Sequence, residues 1–246
     1  MPRVITASLA LSGLVAAGLI VSACSPAPAV PQPTPDSTLT ATLVPAQGVL
    51  KLEESVGVPP AAGWKWAVSD FDIGADARTD GPHEHDFAWV FYAIKGSAEV
   101  TIADARKAIS AGEGVPIPGG QQHSHRYLPQ SKLIAFHLRP ADQPAAALHR
   151  GGTVLLSEKA LELRPGSAYK LQIREYTLPP GSRTSENLTS DPNFAYVADG
   201  VVSYRLGQTA TTVEAGKSLV LPLNERYVIS NEGTTPLRFV LVDVRP

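Results

Sequence analysis

The chain has 246 residues, of which 43% are hydrophobic and 18% charged, and its formal net charge is −2. This length fits one large or two small globular domains. A near-neutral charge excludes the basic field of a nucleic-acid-binding protein, so we expect no nucleic-acid partner. Cys24 is the one cysteine, which excludes a disulfide within the chain.

The first two dozen residues have the pattern of an export signal. Arg3 is followed by an uncharged, apolar stretch from Val4 to Val21, about as long as a bilayer core is thick. The next residues complete the sequence Val-Ser-Ala-Cys, which resembles the lipobox of bacterial lipoproteins. That resemblance implies a signal peptide over residues 1–23 and a lipid on Cys24. An uncleaved anchor helix and an ordinary secretory signal are the alternatives.

All three readings place the folded part outside the cytoplasm. With lipidation, the protein is expected to be a membrane-anchored lipoprotein, either periplasmic or on the outer cell surface, with the membrane as its partner. Residues 24–48 contain six prolines among Ser, Thr and Ala. Such a segment stays extended and buries little apolar surface, so we expect a lipid-anchored linker.

The rest of the chain predicts an all-β protein. Short apolar runs rich in Val, Ile, Leu, Phe and Tyr alternate with Gly, Pro, Asn and Asp, as in Ala88 to Ile94 and Leu237 to Val244. No long stretch has a sustained helical period with caps.

The strand-rich region is a repeat with an offset of 104 residues. Gly96 corresponds in this way to Gly200, and Pro118 to Pro222. The two Arg-Pro endings, at 139–140 and 245–246, lie 106 residues apart. We therefore predict a duplicated unit of about 100 residues, with boundaries at 49–145 and 146–246. Two tandem jelly-roll barrels are the expected architecture, and two separate β-sandwiches are the alternative.

The first unit contains two motifs at characteristic spacings. One is His83-Glu84-His85, followed by Trp89 and Gly96, and the other is Gly112, Pro118-Gly119-Gly120, His123 and Tyr127. Together they resemble the two motifs of the cupin family, whose members include oxygenases, decarboxylases, isomerases and binding proteins.

The cupin resemblance implies a metal set of His83, His85 and His123. Trp89 stands where the family has a Glu ligand, and Ala77 stands where the first motif begins with Gly. Three imidazoles with open coordination positions suit a divalent transition metal, namely Fe, Zn, Ni, Cu or Mn, and resemble a catalytic metal site. A metal site that this chain has lost, with Trp89 filling the pocket, is the alternative.

Two further histidines are candidates for the same site. His125 lies two residues after His123 and shares its face if the strand is regular. His137 lies in an apolar run and faces the interior if that run is a buried strand. The second unit has Asn187, Thr189 and Tyr227 at the positions of the predicted ligands, so we expect it to be metal-free.

Three functions remain open. The first is a metal-dependent, dioxygenase-like oxidoreductase that acts on a small molecule. The second is a non-catalytic envelope lipoprotein that binds a small ligand or a metal, and the third is a purely structural module. No catalytic base is identified, because Glu84 and Asp86 are expected to face outward. Cupins commonly pair, so a homodimer is compatible with the resemblance.

Overall fold

The structure is a computed structural model, and it describes residues 42–44, 48–58, 63–142, 153–161, 167–188, 193–221 and 223–246. The predicted signal peptide, Cys24 and most of the predicted linker lie outside the described residues. Residues Leu39–Pro246 form one compact unit. In the described ranges, no helix has the length and apolarity needed to span a membrane.

All regular elements of the described residues are β-strands, which confirms the all-β prediction. The strands of the first half are β1 (Thr42–Val44), β2 (Val49–Gly57), β3 (Trp64–Asp72), β4 (Arg78–His83), β5 (Trp89–Lys95), β6 (Ser97–Ile102), β7 (Ala105–Ser110), β8 (Gly114–Ile117), β9 (His123–Tyr127) and β10 (Lys132–Pro140). Those of the second half are β11 (Thr153–Leu161), β12 (Tyr169–Leu178), β13 (Ser182–Thr184), β14 (Asn187–Leu188), β15 (Asn193–Asp199), β16 (Val201–Leu206), β17 (Thr209–Glu214), β18 (Ser218–Leu221), β19 (Arg226–Ser230) and β20 (Leu237–Arg245).

The strands form two jelly-roll barrels of two sheets each, as predicted. The first barrel consists of the sheets β11-β3-β10-β5-β8 and β4-β9-β6-β7. The second consists of β18-β15-β20-β12-β2 and β1-β13-β19-β16-β17, with β14 paired to β19.

The two barrels exchange their first strands across the predicted unit boundary. β2 comes before the first barrel in the chain but pairs with β12 of the second barrel. β11 comes after the first barrel but pairs antiparallel with β3 of that barrel. Each barrel therefore depends on a strand from the other repeat, and residues 49–57 and 153–161 tie the repeats together.

Strand register preserves the duplication pair by pair. His83 lies opposite His123 in the first barrel, and Asn187 lies opposite Tyr227 in the second. Corresponding strands thus occupy corresponding places, so the 104-residue offset reflects two copies of one fold.

Side chains of the central strands alternate between two different cores. On β5, Phe91 faces the interior of the first barrel while Val90 and Tyr92 face the second repeat. The residues that face the interior of the first barrel form one core, and a separate core fills the interior of the second barrel. The shared core contains Phe136 and Phe194, whose ring centroids lie 5.5 Å apart. Two faces of each central sheet are therefore buried, which accounts for the continuous apolar runs in the sequence.

A reciprocal pair of polar contacts joins the repeats. The Tyr92 hydroxyl donates to Glu175 at 2.7 Å, and the Tyr196 hydroxyl, 104 residues later, donates to Asp70 at 3.1 Å. The ammonium group of Lys132 forms an ion pair with the carboxylate of Asp70 at 3.2 Å. Burial and the neighbouring carboxylates raise the pKa of both tyrosines, so both remain donors.

Candidate metal centre

Strand geometry brings three histidines together inside the first barrel. His123 and His125 are two residues apart on β9, and both are buried, with exposed fractions of 2% and 3%. His83 ends the neighbouring strand β4 opposite His123. One ring nitrogen from each of these three side chains lies within 4.8 Å of the others.

A local irregularity in β4 sets the direction of His83. Asp80 pairs with His125 and His83 pairs with His123, so three steps on β4 oppose two steps on β9. Such a bulge reverses the alternation of side chains along a strand. It lets Asp80 and His83, which are an odd number of residues apart, both approach the residues of β9.

The glycine turn before β9 fits closely against the first motif. A Cβ atom on Gly119 would lie 2.8 Å from the backbone oxygen of Asp86. The amide of Gly120 donates to the carbonyl of His85 at 2.6 Å, and Gly120 has a φ of +69°. Only glycine permits this approach and this backbone conformation without strain. The two motifs are thus joined in space.

Backbone carbonyls fix the tautomers of His83 and His123. The Nδ1 atom of His83 lies 2.7 Å from the carbonyl oxygen of Gly81, and that of His123 lies 2.8 Å from the carbonyl oxygen of Gln121. A carbonyl only accepts hydrogen bonds, so each Nδ1 carries the proton. The Nε2 atoms then carry the lone pairs, as in metal-binding histidines whose other ring nitrogen is held by an acceptor.

A side-chain network does the same for His125. Its Nδ1 atom lies 2.9 Å from the hydroxyl oxygen of Tyr127, and that hydroxyl donates to Asp80 at 3.0 Å. Because the tyrosine proton is directed to the carboxylate, the tyrosine oxygen accepts the Nδ1 proton of His125. Arg78 holds Asp80 with two contacts of 2.9 and 3.0 Å.

The free nitrogens of the buried histidines are suited to a cation. Within the described structure, the Nε2 atoms of His123 and His125 are buried without a hydrogen-bond partner. Burial lowers the pKa of His123, and burial together with the neighbouring histidines lowers the pKa of His125 to about 2. Both rings are therefore neutral at physiological pH and present lone pairs, the state in which imidazole binds a metal.

His85 and His137 pack against Trp89 instead. The ring of His85 stacks on the indole of Trp89, with ring centroids 3.8 Å apart and an interplanar angle of 10°. The ring of His137 is tilted against the same indole, with centroids 3.2 Å apart. His85 lies 5.0 Å from His83 between ring centroids but is outside the group of converging nitrogens. The structure thus groups His125, an additional candidate in the sequence, with two of the three predicted ligands.

Aromatic rings occupy the place of the family's carboxylate. Trp89 is 3% exposed and stacks in a series with Phe87 and Phe91. Glu84 and Asp86 are exposed. Among the described residues, the converging group consists of histidines alone.

The equivalent place in the second barrel is small and differently lined. It is a cavity of about 30 Å³. Asn187, the counterpart of His83, donates to the Thr184 hydroxyl and to the carbonyl of Ser185. Tyr227 and Ile229 replace His123 and His125. The counterpart of His85, Thr189, lies outside the described residues.

Comparison with known proteins agrees with this architecture. Residues 174–243 match the cupin domain family. Those residues lie in the second unit, although the motif resemblance is stronger in the first. No curated protein matches the sequence.

Solved structures of Bacillus subtilis oxalate decarboxylase share the fold. The structure at pH 4.6 is 14% identical and has a TM-score of 0.55, covering 81% of this chain and 77% of that one. A structure of the same enzyme, studied for its Mn(II) centres, is 15% identical with the same TM-score, and covers 81% and 78%. At this identity the likeness is one of fold. Together with the cupin-domain match over residues 174–243, this likeness supports a cupin-type fold with a bicupin-like architecture.

Proposed function

We propose that the first barrel binds a divalent transition metal through His83, His123 and His125. The observation that supports it is the set of three imidazoles that each bring one ring nitrogen within 4.8 Å of the others, while each Nδ1 atom has an acceptor. The buried Nε2 atoms of His123 and His125 have no hydrogen-bond partner within the described structure, which is costly, and a bound cation would satisfy both.

The donor set bears on the identity of the metal. Imidazole nitrogens suit Fe, Zn, Ni and Cu, whereas Mn favours sites with carboxylate oxygens. Mn(II) is a property of the oxalate decarboxylase, and the present group has no carboxylate. We therefore propose Fe, Zn, Ni or Cu ahead of Mn.

Such a centre is compatible with dioxygenase-like oxidoreductase activity on a small molecule. A metal held by three protein ligands keeps coordination positions for water or substrate and supplies Lewis-acid or redox chemistry there. In this barrel, Phe91 packs against His125 and Trp89 packs against Phe91, so aromatic rings form an apolar wall beside the described histidines. These aromatic residues would select the shape of the substrate.

A non-catalytic binding protein is the second candidate. The observation that favours it is that the nearby carboxylates Glu84 and Asp86 are exposed and do not face the described histidines. Asp80 is engaged by Arg78 and Tyr127. In that case the barrel would hold a metal or a small ligand without turnover.

Metal content of the full-length protein, purified without a polyhistidine tag, tests the proposal. We expect about one metal per chain after reconstitution, measured separately for Fe, Zn, Ni, Cu and Mn. His125→Gln should remove the metal because it deletes a ligand, whereas His85→Gln should keep it. The opposite result for this matched pair would favour the set His83, His85 and His123. Wild-type protein that takes up no metal would refute both sets.

We further propose that the protein works outside the cytoplasm, anchored by a lipid on Cys24. The support is the lipobox-like sequence after an uncharged apolar stretch. We expect Cys24→Ser to stop lipid attachment and cleavage, so that the variant keeps its signal peptide and runs at higher mass than the wild type. Intact mass of the membrane fraction from bacterial expression is the measurement. A wild-type chain that retains residues 1–23 would contradict the proposal.

A further inference from the structure

We infer that Tyr127 and Asp80 are positioning residues of the metal centre, which hold His125 in the tautomer that presents its Nε2 lone pair. This inference rests on the proposed function. It adds residues that do not touch the metal themselves and act through the hydrogen-bond chain from Arg78 to His125.

The hydrogen bonds between Arg78, Asp80, Tyr127 and His125 fix which group donates and which accepts at each step. Arg78 donates to both oxygens of Asp80, so the side chain of Asp80 acts as the acceptor in these contacts. The Tyr127 hydroxyl donates to that carboxylate, and its oxygen is left to accept from His125. Every link therefore favours Nδ1–H on His125.

Two neighbouring side chains pack against the ring of Tyr127. The Phe71 and Tyr127 rings are stacked, with centroids 5.7 Å apart and an interplanar angle of 16°. The guanidinium carbon of Arg78 lies over the Tyr127 ring, 5.4 Å from the ring centroid. The residue is 1% exposed. A hydroxyl oriented in this way is already placed to hold the Nδ1 atom of His125 when a metal binds to the other ring nitrogen.

The duplicated unit provides an internal comparison. The residue 104 positions after Tyr127 is Asn231, whose amide donates to the backbone carbonyls of Leu178 and Thr235. Asn231 thus braces loops in a barrel whose β19 carries Ile229 in place of His125. Tyr127 instead reaches a histidine, so its role differs from that of its counterpart.

Tyr127→Phe tests the inference with Co²⁺ as the probe. Loss of a hydrogen-bond partner of a metal ligand weakens metal binding by about 10- to 100-fold, and we expect the affinity for Co²⁺, measured by chelator competition, to fall by a factor in that range. The variant keeps the ring, so the metal-free protein should retain its cooperative unfolding. The matched control is Tyr204→Phe in the second barrel, because within the described structure that buried hydroxyl has no hydrogen-bond partner. Its Co²⁺ affinity should equal that of the wild type.

A tautomer measurement distinguishes positioning from a purely structural effect. In metal-free wild-type protein, ¹⁵N chemical shifts of His125 should show the proton on Nδ1, and Tyr127→Phe should reduce that preference. Asp80→Asn, on a partly exposed strand, provides the second variant and should also weaken Co²⁺ binding. Unchanged affinity in both variants, with Co²⁺ bound by the wild type, would overturn the inference alone. Failure of the wild type to bind Co²⁺ would remove the proposed function and the inference together.

Discussion

Replacing Phe136 with alanine should destabilise both barrels together by about 3–5 kcal/mol. Phe136 is on β10 of the first barrel, is 1% exposed, and packs on Phe194 of the second repeat. Truncation removes a large apolar side chain from the core that the repeats share and leaves a cavity between two sheets. Because β2 and β11 are also exchanged, neither barrel is expected to remain folded when the other opens.

Urea unfolding followed by two probes checks this expectation. All three tryptophans of the chain lie in the first repeat, so their fluorescence reports mainly on that barrel, while far-ultraviolet circular dichroism reports on all strands. The two transitions should coincide in the wild type and should shift together in Phe136→Ala. Val201→Ala, at a position 41% exposed, is the control and should shift neither. Separate transitions would show that the barrels are independent.

The architecture was predictable because a duplication is visible as residue spacing. Gly96 and Gly200 both adopt positive φ at equivalent turns, and Trp89 and Asn193 begin equivalent strands. The strand exchange was not predictable, because β2 and β11 follow the same offset whether each pairs within its own repeat or with the other. Spacing records that two segments are equivalent and gives no information on which barrel completes its sheet with which strand.

A histidine cluster in the first barrel was predictable from the sequence. Which histidines belong to the cluster depends on where strand β4 ends. Strand alternation applies to His123 and His125, since both lie within β9. It does not extend to His85, because β4 ends at His83 and the chain then turns toward Trp89. The sequence motif is the same His-x-His pattern in both places, so the difference arises from strand length.

The residues that support His125 through hydrogen bonds were harder to predict from the sequence than the histidines. Tyr127 ends the second motif, and the motif by itself assigns it no role. Asp80 and Arg78 are ordinary charged residues of a half-exposed strand, and their connection to His125 depends on the bulge between Asp80 and His83. Apart from Gly81-Pro82, the sequence has no residue pattern that marks this bulge. The sequence alone therefore does not predict the hydrogen bonds that connect Asp80 to His125.

Metal-free protein should lose stability as the pH falls below about 6.5, the ordinary pKa of histidine. In the folded chain, burial lowers the pKa of His125 to about 2, and the pKa of His123 is lowered in the same direction. Between the two values the unfolded chain takes up a proton that the folded chain does not. The free energy of unfolding therefore decreases with decreasing pH, and the stability is fully present only above the unfolded-state pKa.

His125 alone should reduce the free energy of unfolding by about 2 kcal/mol between pH 7 and pH 5, because each pH unit below 6.5 costs about 1.4 kcal/mol. The measurement is urea unfolding in the presence of a chelator at both pH values. His125→Gln removes the titrating group while leaving the surface carboxylates and His123 in place, so its loss over the same interval should be smaller by that amount. Equal losses in wild type and variant would mean that His125 accepts a proton in the folded protein. In that case its ring nitrogen would not be held neutral for a metal, and the ligand set proposed for this barrel would have to change.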